Sequence, residues 1–279
     1  MRIISTVDLS FTVKRLFVDA NRNLPADIRS RIRACREKET WAPARETLGL
    51  IIENFEFAEK NRVPICQDTG MACVFLEIGC DVHIEGNINE AVNQGVREAC
   101  KEGYLRASVV ADPLNRKNTG DNTPAVIYTE FVKGDTLAVT VAPKGFGSEN
   151  MSRTKMLVPS QGREGVIDFV VSAVNEAGPN PCPPIVVGVG IGGTFDKAAL
   201  LSKKALIRSL DKPNSDPYYA ALEETLLEKI NALGIGPQGF GGATTALAVA
   251  IETMPTHIAG LPCAVNINCH VSRHASEVL

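Results

Sequence analysis

The stretch Ile185-Val-Val-Gly-Val-Gly-Ile191 is the strongest indication of the fold class of this chain. It is followed directly by Gly192-Gly-Thr194. Its β-branched residues predict a buried strand, its glycines predict a turn, and the periodicity of residues 195–210 predicts a helix. Similar patterns recur along the chain, with helices predicted at 8–37 (broken near Leu24-Pro25), 41–60, 88–103, 165–177 and 217–233, and further strands at 71–78, 125–132, 136–141, 245–252 and 257–267. This mixture of helices and strands predicts an α/β or α+β fold, in which helices cover mixed sheets.

Two details of this organisation are specific predictions. Ala125–Val132 and Thr136–Val141 alternate in polarity and are joined by Lys133-Gly-Asp135, so we expect them to pair with each other. No internal repeat or linker interrupts the sequence. We therefore predict a single domain over residues 1–279, in which a helical N-terminal part, about 1–62, packs on the α/β remainder.

The composition argues against several classes of function. A hydrophobic content of 44% in 279 residues supports a substantial core, and a net charge of −3 leaves no broad basic surface for nucleic acid. No apolar run reaches the ~18 residues needed to cross a bilayer, and the first residues lack the apolar block of a signal peptide. We expect a cytoplasmic protein that binds neither nucleic acid nor membranes.

The eight cysteines are expected to be reduced, because nothing in the sequence indicates export. No Cys-x-x-Cys pair is present, which argues against a zinc ribbon and a thioredoxin-type redox site. Four of the eight fit helical or strand patterns and are interpreted as packing residues: Cys35, Cys73, Cys80 and Cys100.

Three other cysteines lie in turns far apart in the sequence. They are Cys66 in Pro64-Ile-Cys-Gln-Asp-Thr-Gly70, Cys182 in Pro179-Asn-Pro-Cys-Pro-Pro184, and Cys269 in Asn266-Ile-Asn-Cys-His270. Turns present side chains rigidly. Three converging thiolates can hold three irons of a four-iron cluster and leave the fourth iron as a Lewis acid, which indicates an enzyme rather than an electron carrier.

The residues that follow Cys66 have two interpretations. Asp68 either caps an Asx-type turn or, with Gln67, faces a cavity where it exchanges protons with a substrate oxygen. Arg106 lies among apolar and small residues, so an inward guanidinium that binds a carboxylate is a further hypothesis. The glycines of Lys144–Asn150 either form a flexible hairpin exit or let backbone N–H groups approach an anion.

The histidines near the end of the sequence raise the alternative of a zinc-binding, non-catalytic subunit. His270 is adjacent to Cys269 and is interpreted as a structural donor. His257 is predicted to begin an apolar strand and to hydrogen-bond an acid such as Asp68.

Gly188-Val-Gly-Ile-Gly-Gly193 formally matches the dinucleotide-binding fingerprint, which makes a nicotinamide-dependent dehydrogenase another alternative. The fingerprint requires an acid at the end of the next strand, about 20 residues on. Asp211 has the right spacing, but its surroundings do not resemble a buried strand end.

Six ordered motifs resemble class I, iron–sulfur fumarate hydratases and L-tartrate dehydratases, specifically the separate alpha subunit of the two-subunit form. The motifs are Cys66–Gly70, Asn118–Pro124, Pro143–Asn150, Cys182–Pro184, Ile191–Thr194 and Asn266–His270. The resemblance covers almost the whole chain. Phe146 interrupts what is often a purer glycine run in that family, so this loop departs from the family pattern.

The resemblance implies a [4Fe–4S] cluster on Cys66, Cys182 and Cys269, with Cys263 as a packing residue. It also implies that Asp68 and His257 are catalytic, and that Gln67, Arg106 and the backbone of Gly147 bind substrate. The implied fold is that of the family's alpha-type catalytic domain.

The resemblance further implies reversible hydration of a small dicarboxylate, fumarate, to L-malate, with dehydration of L-tartrate as the alternative. The rest of the active site is expected on a separate beta subunit, in an α2β2 assembly. We therefore expect little or no activity from this chain alone.

Overall fold

A computed structural model describes residues 2–279. Its helices are α1 (Thr6–Arg22), α2 (Ala26–Lys38), α3 (Ala42–Asn61), α4 (Ile88–Glu102), α5 (Phe146–Glu149), α6 (Gly162–Ala177), α7 (Phe195–Ala205) and α8 (Pro217–Asn231). Its strands are β1 (Arg2–Ser5), β2 (Met71–Gly79), β3 (Val82–Glu85), β4 (Val126–Val132), β5 (Leu137–Lys144), β6 (Arg153–Leu157), β7 (Ile185–Gly192), β8 (Ala246–Met254), β9 (Leu261–Asn268) and β10 (Ala275–Val278). The predicted mixture of helices and mixed sheets is confirmed.

The chain divides into two compact units. Unit 1 consists of the residues up to Pro25, Asn54–Phe146 and Arg273–Leu279, and unit 2 consists of Ala26–Glu53 and Gly147–Ser272. The prediction that the chain forms a single domain stays a prediction.

A four-stranded sheet with the order β10-β5-β2-β4 lies at the centre of unit 1. Strand β2 is buried along most of its length, and it pairs parallel with β4 and antiparallel with β5. The predicted pairing of β4 with β5 was therefore wrong. The link between β4 and β5 passes over the end of β2 at Gly79, where a Cβ atom would lie only 2.3 Å from the carbonyl oxygen of Gly134.

Helices α1 and α4 cover this sheet, because each has an apolar stripe at helical spacing. The stripe of α1 includes Leu9, Val13 and Leu16, which share one buried core with Val92 of α4 and Val141 of β5. Side-chain caps start both helices: Ser5 Oγ accepts from Asp8 N at 3.1 Å, and Asn87 Oδ1 accepts from Glu90 N at 3.1 Å.

Unit 2 contains a second four-stranded sheet, with the order β6-β9-β7-β8. Every residue of β7 is buried, and the strand pairs parallel with β8 and antiparallel with β9. Successive side chains of a strand point to opposite faces. Val187 and Val189 pack in one core with α6 and α8, whereas Gly188 and Gly190 face α7.

Along residues 2–279, no helix combines the length and the apolar character that crossing a bilayer requires.

Candidate active site

Asp68 is the centre of a hydrogen-bond cluster in unit 1. Its Oδ1 accepts from the backbone N–H of Gly70 at 2.9 Å, and its Oδ2 accepts from the backbone N–H of Phe146 at 2.9 Å. Arg273, which is buried, donates to the backbone carbonyl of Asp68. A Cβ at Gly145 would lie 3.0 Å from Oδ2, so glycine allows this loop to approach the carboxylate. The carboxyl group is therefore held in one orientation by two backbone hydrogen bonds.

Cys66 and Gln67 occupy the same turn. The backbone N–H of Asp68 donates to Cys66 Sγ at 3.4 Å, and Cys66 Sγ lies 3.5 Å from Gln67 Oε1. Hydrogen bonds from backbone N–H groups to sulfur are among the contacts that tune iron–sulfur clusters. Cys66 is partly buried, so its sulfur remains accessible to a ligand.

Asn122 connects its own motif to the motif Cys66–Gly70 and to the segment around Arg106 within unit 1. Its fully buried side chain donates to the carbonyl of Gly70 at 3.0 Å and accepts from the N–H of Ser108 at 2.9 Å. The N–H of Arg106 donates to Thr69 Oγ1 at 2.8 Å. Arg106 is itself exposed, so the predicted inward guanidinium is not confirmed. Asn122 belongs to the quoted motif Asn118–Pro124, but its connecting role was not predicted from the sequence.

Cys182 and the Cys269-His270 segment meet in unit 2. The backbone carbonyl of Cys182 accepts from His270 N at 3.3 Å and lies 3.0 Å from His270 Nδ1. Cys182 is exposed and has a φ of +55°, and Cys269 is partly buried. Two of the three predicted ligand segments are therefore neighbours through direct hydrogen bonds.

His270 is a hydrogen-bond donor at this position. Burial lowers the pKa of His270 below its ordinary value, and the hydrogen bond to the Cys182 carbonyl opposes this effect only in part. Because a carbonyl can only accept, the ring proton is assigned to Nδ1. The interpretation of His270 as a structural donor agrees with this geometry.

His257 lies in an exposed loop, not in a strand. Strand β9 begins only at Leu261, so the strand predicted from residue 257 was wrong at its start. The loop closes where Gly260 N donates to the carbonyl of His257 at 2.9 Å, and Ala259 N donates to His257 Nδ1 at 3.2 Å. A turn of this kind ends the extended backbone that the apolar pattern predicted.

Glu149 is a charged residue that sequence reasoning missed. Its carboxylate accepts from Lys203 Nζ at 2.6 Å and from Asn266 Nδ2 at 2.9 Å. The sequence did contain a signal for this contact, because Glu149 and Asn266 each belong to one of the six quoted motifs. Gly147, two residues before Glu149, is exposed, and no atom lies within 4 Å of the position of a Cβ there.

The glycines of the apparent dinucleotide fingerprint serve helix packing. A Cβ at Gly188 would lie 2.1 Å from Ser202 O, and one at Gly190 would lie 2.0 Å from Ala198 O. Both glycines are inside β7, where they allow α7 to lie against the strand. Asp211 is exposed in a turn and ends no strand. The fingerprint is therefore explained without a nucleotide.

Three of the remaining cysteines are buried, unlike Cys66, Cys182 and Cys269. Burial raises the pKa of Cys263 to about 12 and that of Cys100 to about 11, the latter despite a hydrogen bond with Asn122 that lowers it. Cys73 is also buried, whereas Cys80 is exposed. Since the thiolate is the metal-binding form, the raised pKa values make Cys100 and Cys263 poor metal ligands.

The donors fit an iron–sulfur cluster by their chemistry. Cys66, Cys182 and Cys269 form no disulfide, lie outside the helices and strands, and are all at least partly accessible. Along residues 2–279, no group of three or more His, Cys, Asp or Glu side chains is arranged to hold a single metal ion.

The chain is similar to known hydro-lyase subunits over nearly its full length. The family model described as "Fumarate hydratase (Fumerase)" matches residues 10–278. A protein of Methanocaldococcus jannaschii named "Putative L(+)-tartrate dehydratase subunit alpha" is 45% identical over 275 residues, which cover 96% of each chain. Proteins of Escherichia coli K12 and Shigella sonnei named "L(+)-tartrate dehydratase subunit alpha" are each 33% identical over 256 residues, which cover 91% of this chain and 84% of theirs.

Fold, motifs and similarity together define a hydro-lyase subunit. The chain belongs to the class I iron–sulfur hydro-lyase family, among the alpha subunits of fumarate hydratases and L-tartrate dehydratases.

Proposed function

We propose that this chain is the alpha subunit of an L-tartrate dehydratase. The observation that carries the proposal is its similarity, over nearly the whole length of each chain, to proteins named as alpha subunits of that enzyme. Fumarate was the first expectation from the sequence, and the named relatives favour the alternative instead. The reaction removes water from L-tartrate, and the resulting enol becomes oxaloacetate.

Cys66, Cys182 and Cys269 are proposed to hold a [4Fe–4S] cluster. When bound, the cluster supplies a Lewis acid at the iron that no cysteine holds, which makes hydroxide a better leaving group. The support is the reduced state and accessibility of the three thiols, together with the hydrogen bonds at Cys66 and Cys182.

Asp68 is proposed to act in its carboxylic acid form and to give its proton to the departing hydroxyl oxygen, which leaves as water while Asp68 becomes a carboxylate. Its carboxyl group is oriented by two backbone N–H groups, so little motion is needed for proton transfer. His257 is proposed to support this step, since its exposed loop leaves the imidazole accessible. The proton of the neighbouring C–H bond goes to a base on the partner chain.

Substrate carboxylates are proposed to bind three groups of this chain. Arg106 supplies an exposed guanidinium, which pairs with a carboxylate through two N–H groups. Gln67 supplies an amide beside Cys66, and Gly147 supplies an exposed backbone N–H. Their role is to fix the carbon skeleton so that the hydroxyl and the C–H bond are aligned for elimination.

A separate beta subunit is proposed to complete the active site, in an α2β2 complex. The support is that the relatives are named alpha subunits and span nearly the same length as this chain. The chain alone should therefore have little or no dehydratase activity. Turnover by the isolated, cluster-loaded alpha chain at the rate of the complex would contradict this expectation.

The test is anaerobic coexpression with the cognate beta subunit, followed by iron and sulfide analysis. The complex is then assayed with L-tartrate and with the fumarate–L-malate pair. We expect a brown complex with about four irons and four sulfides per alpha chain, and a higher kcat/KM for L-tartrate than for L-malate or fumarate. Cys66→Ser should remove the cluster, whereas Cys80→Ser should keep it. A colourless wild-type complex, or one inactive on both acids, would overturn the proposal.

Fumarate hydratase is the second candidate, because the matching family model carries that description. A preference for fumarate over L-tartrate in the same assay would select it. Both candidates require the same cluster, so the comparison of substrates separates them without affecting the assignment of the cysteines.

A further inference from the structure

We propose that Gln238 and His270 position Cys182 for cluster binding. The two residues are called here the Cys182 clamp. The inference rests on the proposed function, because it assumes that Cys182 is a cluster ligand. It adds Gln238, a residue outside all the motifs quoted above, as a determinant of how firmly the cluster is held.

Gln238 makes two hydrogen bonds to one carbonyl group. Its backbone N–H donates to Pro183 O at 2.8 Å, and its side-chain Nε2 donates to the same oxygen at 2.7 Å. Pro183 directly follows Cys182, so both bonds act on the peptide unit next to the ligand. Since a carbonyl oxygen has two lone pairs, Gln238 satisfies this acceptor completely.

His270 holds the preceding carbonyl in the same way. Its backbone N–H and its Nδ1 both address Cys182 O, at 3.3 Å and 3.0 Å. The ring also contacts Gln238, with Nδ1 at 3.2 Å from Nε2. Because Nδ1 carries the proton that is donated to Cys182 O, it cannot accept a hydrogen bond from Gln238 Nε2. The amide of Gln238 therefore donates to Pro183 O.

The backbone on both sides of the clamp is in a conformation that needs support. Cys182 has φ +55° and Gln238 has φ +53°, and neither residue is glycine. Side chains with a Cβ atom rarely adopt this conformation, and such residues persist only where neighbouring bonds hold them. Four hydrogen bonds to two successive carbonyls supply that support.

The clamp also connects two ligands of the proposed cluster. His270 directly follows Cys269, so a bond from its ring or its backbone to Cys182 O fixes one ligand segment against the other. Partners of this kind orient metal ligands, and their removal typically lowers metal affinity about 10- to 100-fold. The predicted effect is therefore on retention of the cluster, beyond any effect on folding.

The test measures cluster loss from anaerobic αβ complexes after addition of an iron chelator, followed by visible absorbance. Gln238→Ala should lose its cluster about ten-fold faster than wild type. Gln161→Ala is the matched control, because Gln161 Oε1 also bonds a backbone group, Val158 N at 2.9 Å, in an exposed turn of the same unit. The control should lose the cluster at the wild-type rate.

A second pair of variants separates positioning from mere folding. His270→Ala removes the ring donor, whereas His270→Asn keeps an N–H at the same number of bonds from Cβ. We expect fast cluster loss in His270→Ala and near wild-type loss in His270→Asn. Urea unfolding of the cluster-free proteins checks that Gln238→Ala and Gln161→Ala lose similar stability, about 1 kcal/mol each.

The outcomes are distinct. If Gln238→Ala and His270→Ala retain the cluster as long as wild type, the clamp proposal is overturned while the proposed function stands. If Gln238→Ala does not fold, the rates of cluster loss from His270→Ala and His270→Asn alone test the proposal. A wild-type complex without a cluster overturns both proposals.

Discussion

The backbone N–H of Phe146 donates to Oδ2 of Asp68 at 2.9 Å, across 78 positions of the sequence. This bond places the glycine-bearing loop directly against the carboxyl group that we propose as the proton donor. Together with the bond from Gly70 to Oδ1, it fixes the plane of the carboxylate. A fixed plane favours proton transfer, because the orientation is set before substrate binds.

Asp68→Asn should abolish most of the activity while the cluster and the fold remain. The amide keeps an acceptor for Gly70 N but cannot transfer a proton, so kcat should fall by about 10²- to 10⁴-fold. Steady-state kinetics normalised to iron content measures this. Asp112→Asn makes the same chemical change at another carboxylate that accepts backbone N–H groups, those of Leu114 and Asn115, and should be near wild type. Activity of Asp68→Asn within ten-fold of wild type would exclude the proposed role.

Thiol labelling should identify the ligands directly. In the cluster-loaded complex, iodoacetamide should modify the exposed Cys80 but spare Cys66, Cys182 and Cys269. Removing the cluster should make these three reactive. Cys263, whose pKa burial raises to about 12, should react only after unfolding, because the thiolate is the reactive form. Peptide mapping by mass spectrometry gives the readout, and equal labelling of Cys66 with and without the cluster would contradict the ligand assignment.

Asn122→Ala should destabilise the protein by about 2–3 kcal/mol, because it leaves the buried carbonyl of Gly70 without its donor. Asn122 also has φ +63°, a conformation that alanine adopts less readily. Asn118→Ala, which removes exposed hydrogen bonds in the same motif, should cost less than about 1 kcal/mol. Urea unfolding followed by circular dichroism gives the free energy of unfolding of both variants. Equal losses in the two would contradict the connecting role of Asn122.

Gly190→Ala should destabilise the protein by at least about 3 kcal/mol, because its Cβ would collide with Ala198 O of α7. Gly147→Ala, which meets no atom within 4 Å, should leave stability almost unchanged. Thermal unfolding distinguishes the two. A well-tolerated Gly190→Ala would mean that these glycines are not packing residues, and would reopen the nicotinamide alternative.

Local patterns predicted most helices and the buried strands, because apolar periodicity and glycine or proline stops are local signals. The break at Leu24-Pro25 lies between α1 and α2, and Gly178 ends α6 as predicted. The pairing of strands is not local. The short link from β4 to β5 suggests a hairpin, but β2 is buried and requires partners on both sides, so it lies between them.

The candidate residues were predictable where a motif presents them, and their supporting partners were not. The turn-forming residues around Cys66, Cys182 and Cys269 distinguish these three cysteines in the sequence. The roles of Asn122 and Gln238 depend on hydrogen bonds across 52 and 55 positions, which no spacing rule reveals. His257 was misplaced in a strand because a turn closed by Gly260 interrupts an otherwise apolar stretch.

Strand β10 pairs with β5 through Ala275–Val278, and Leu279 exchanges backbone hydrogen bonds with Leu137. The central sheet of unit 1 thus contains residues from the far end of the sequence, whereas every residue of unit 2 precedes Arg273. During synthesis on the ribosome, the last residue of unit 2 is therefore translated before the last residues of unit 1. The half that carries Asp68 acquires its last sheet strand only after the other half has been translated in full.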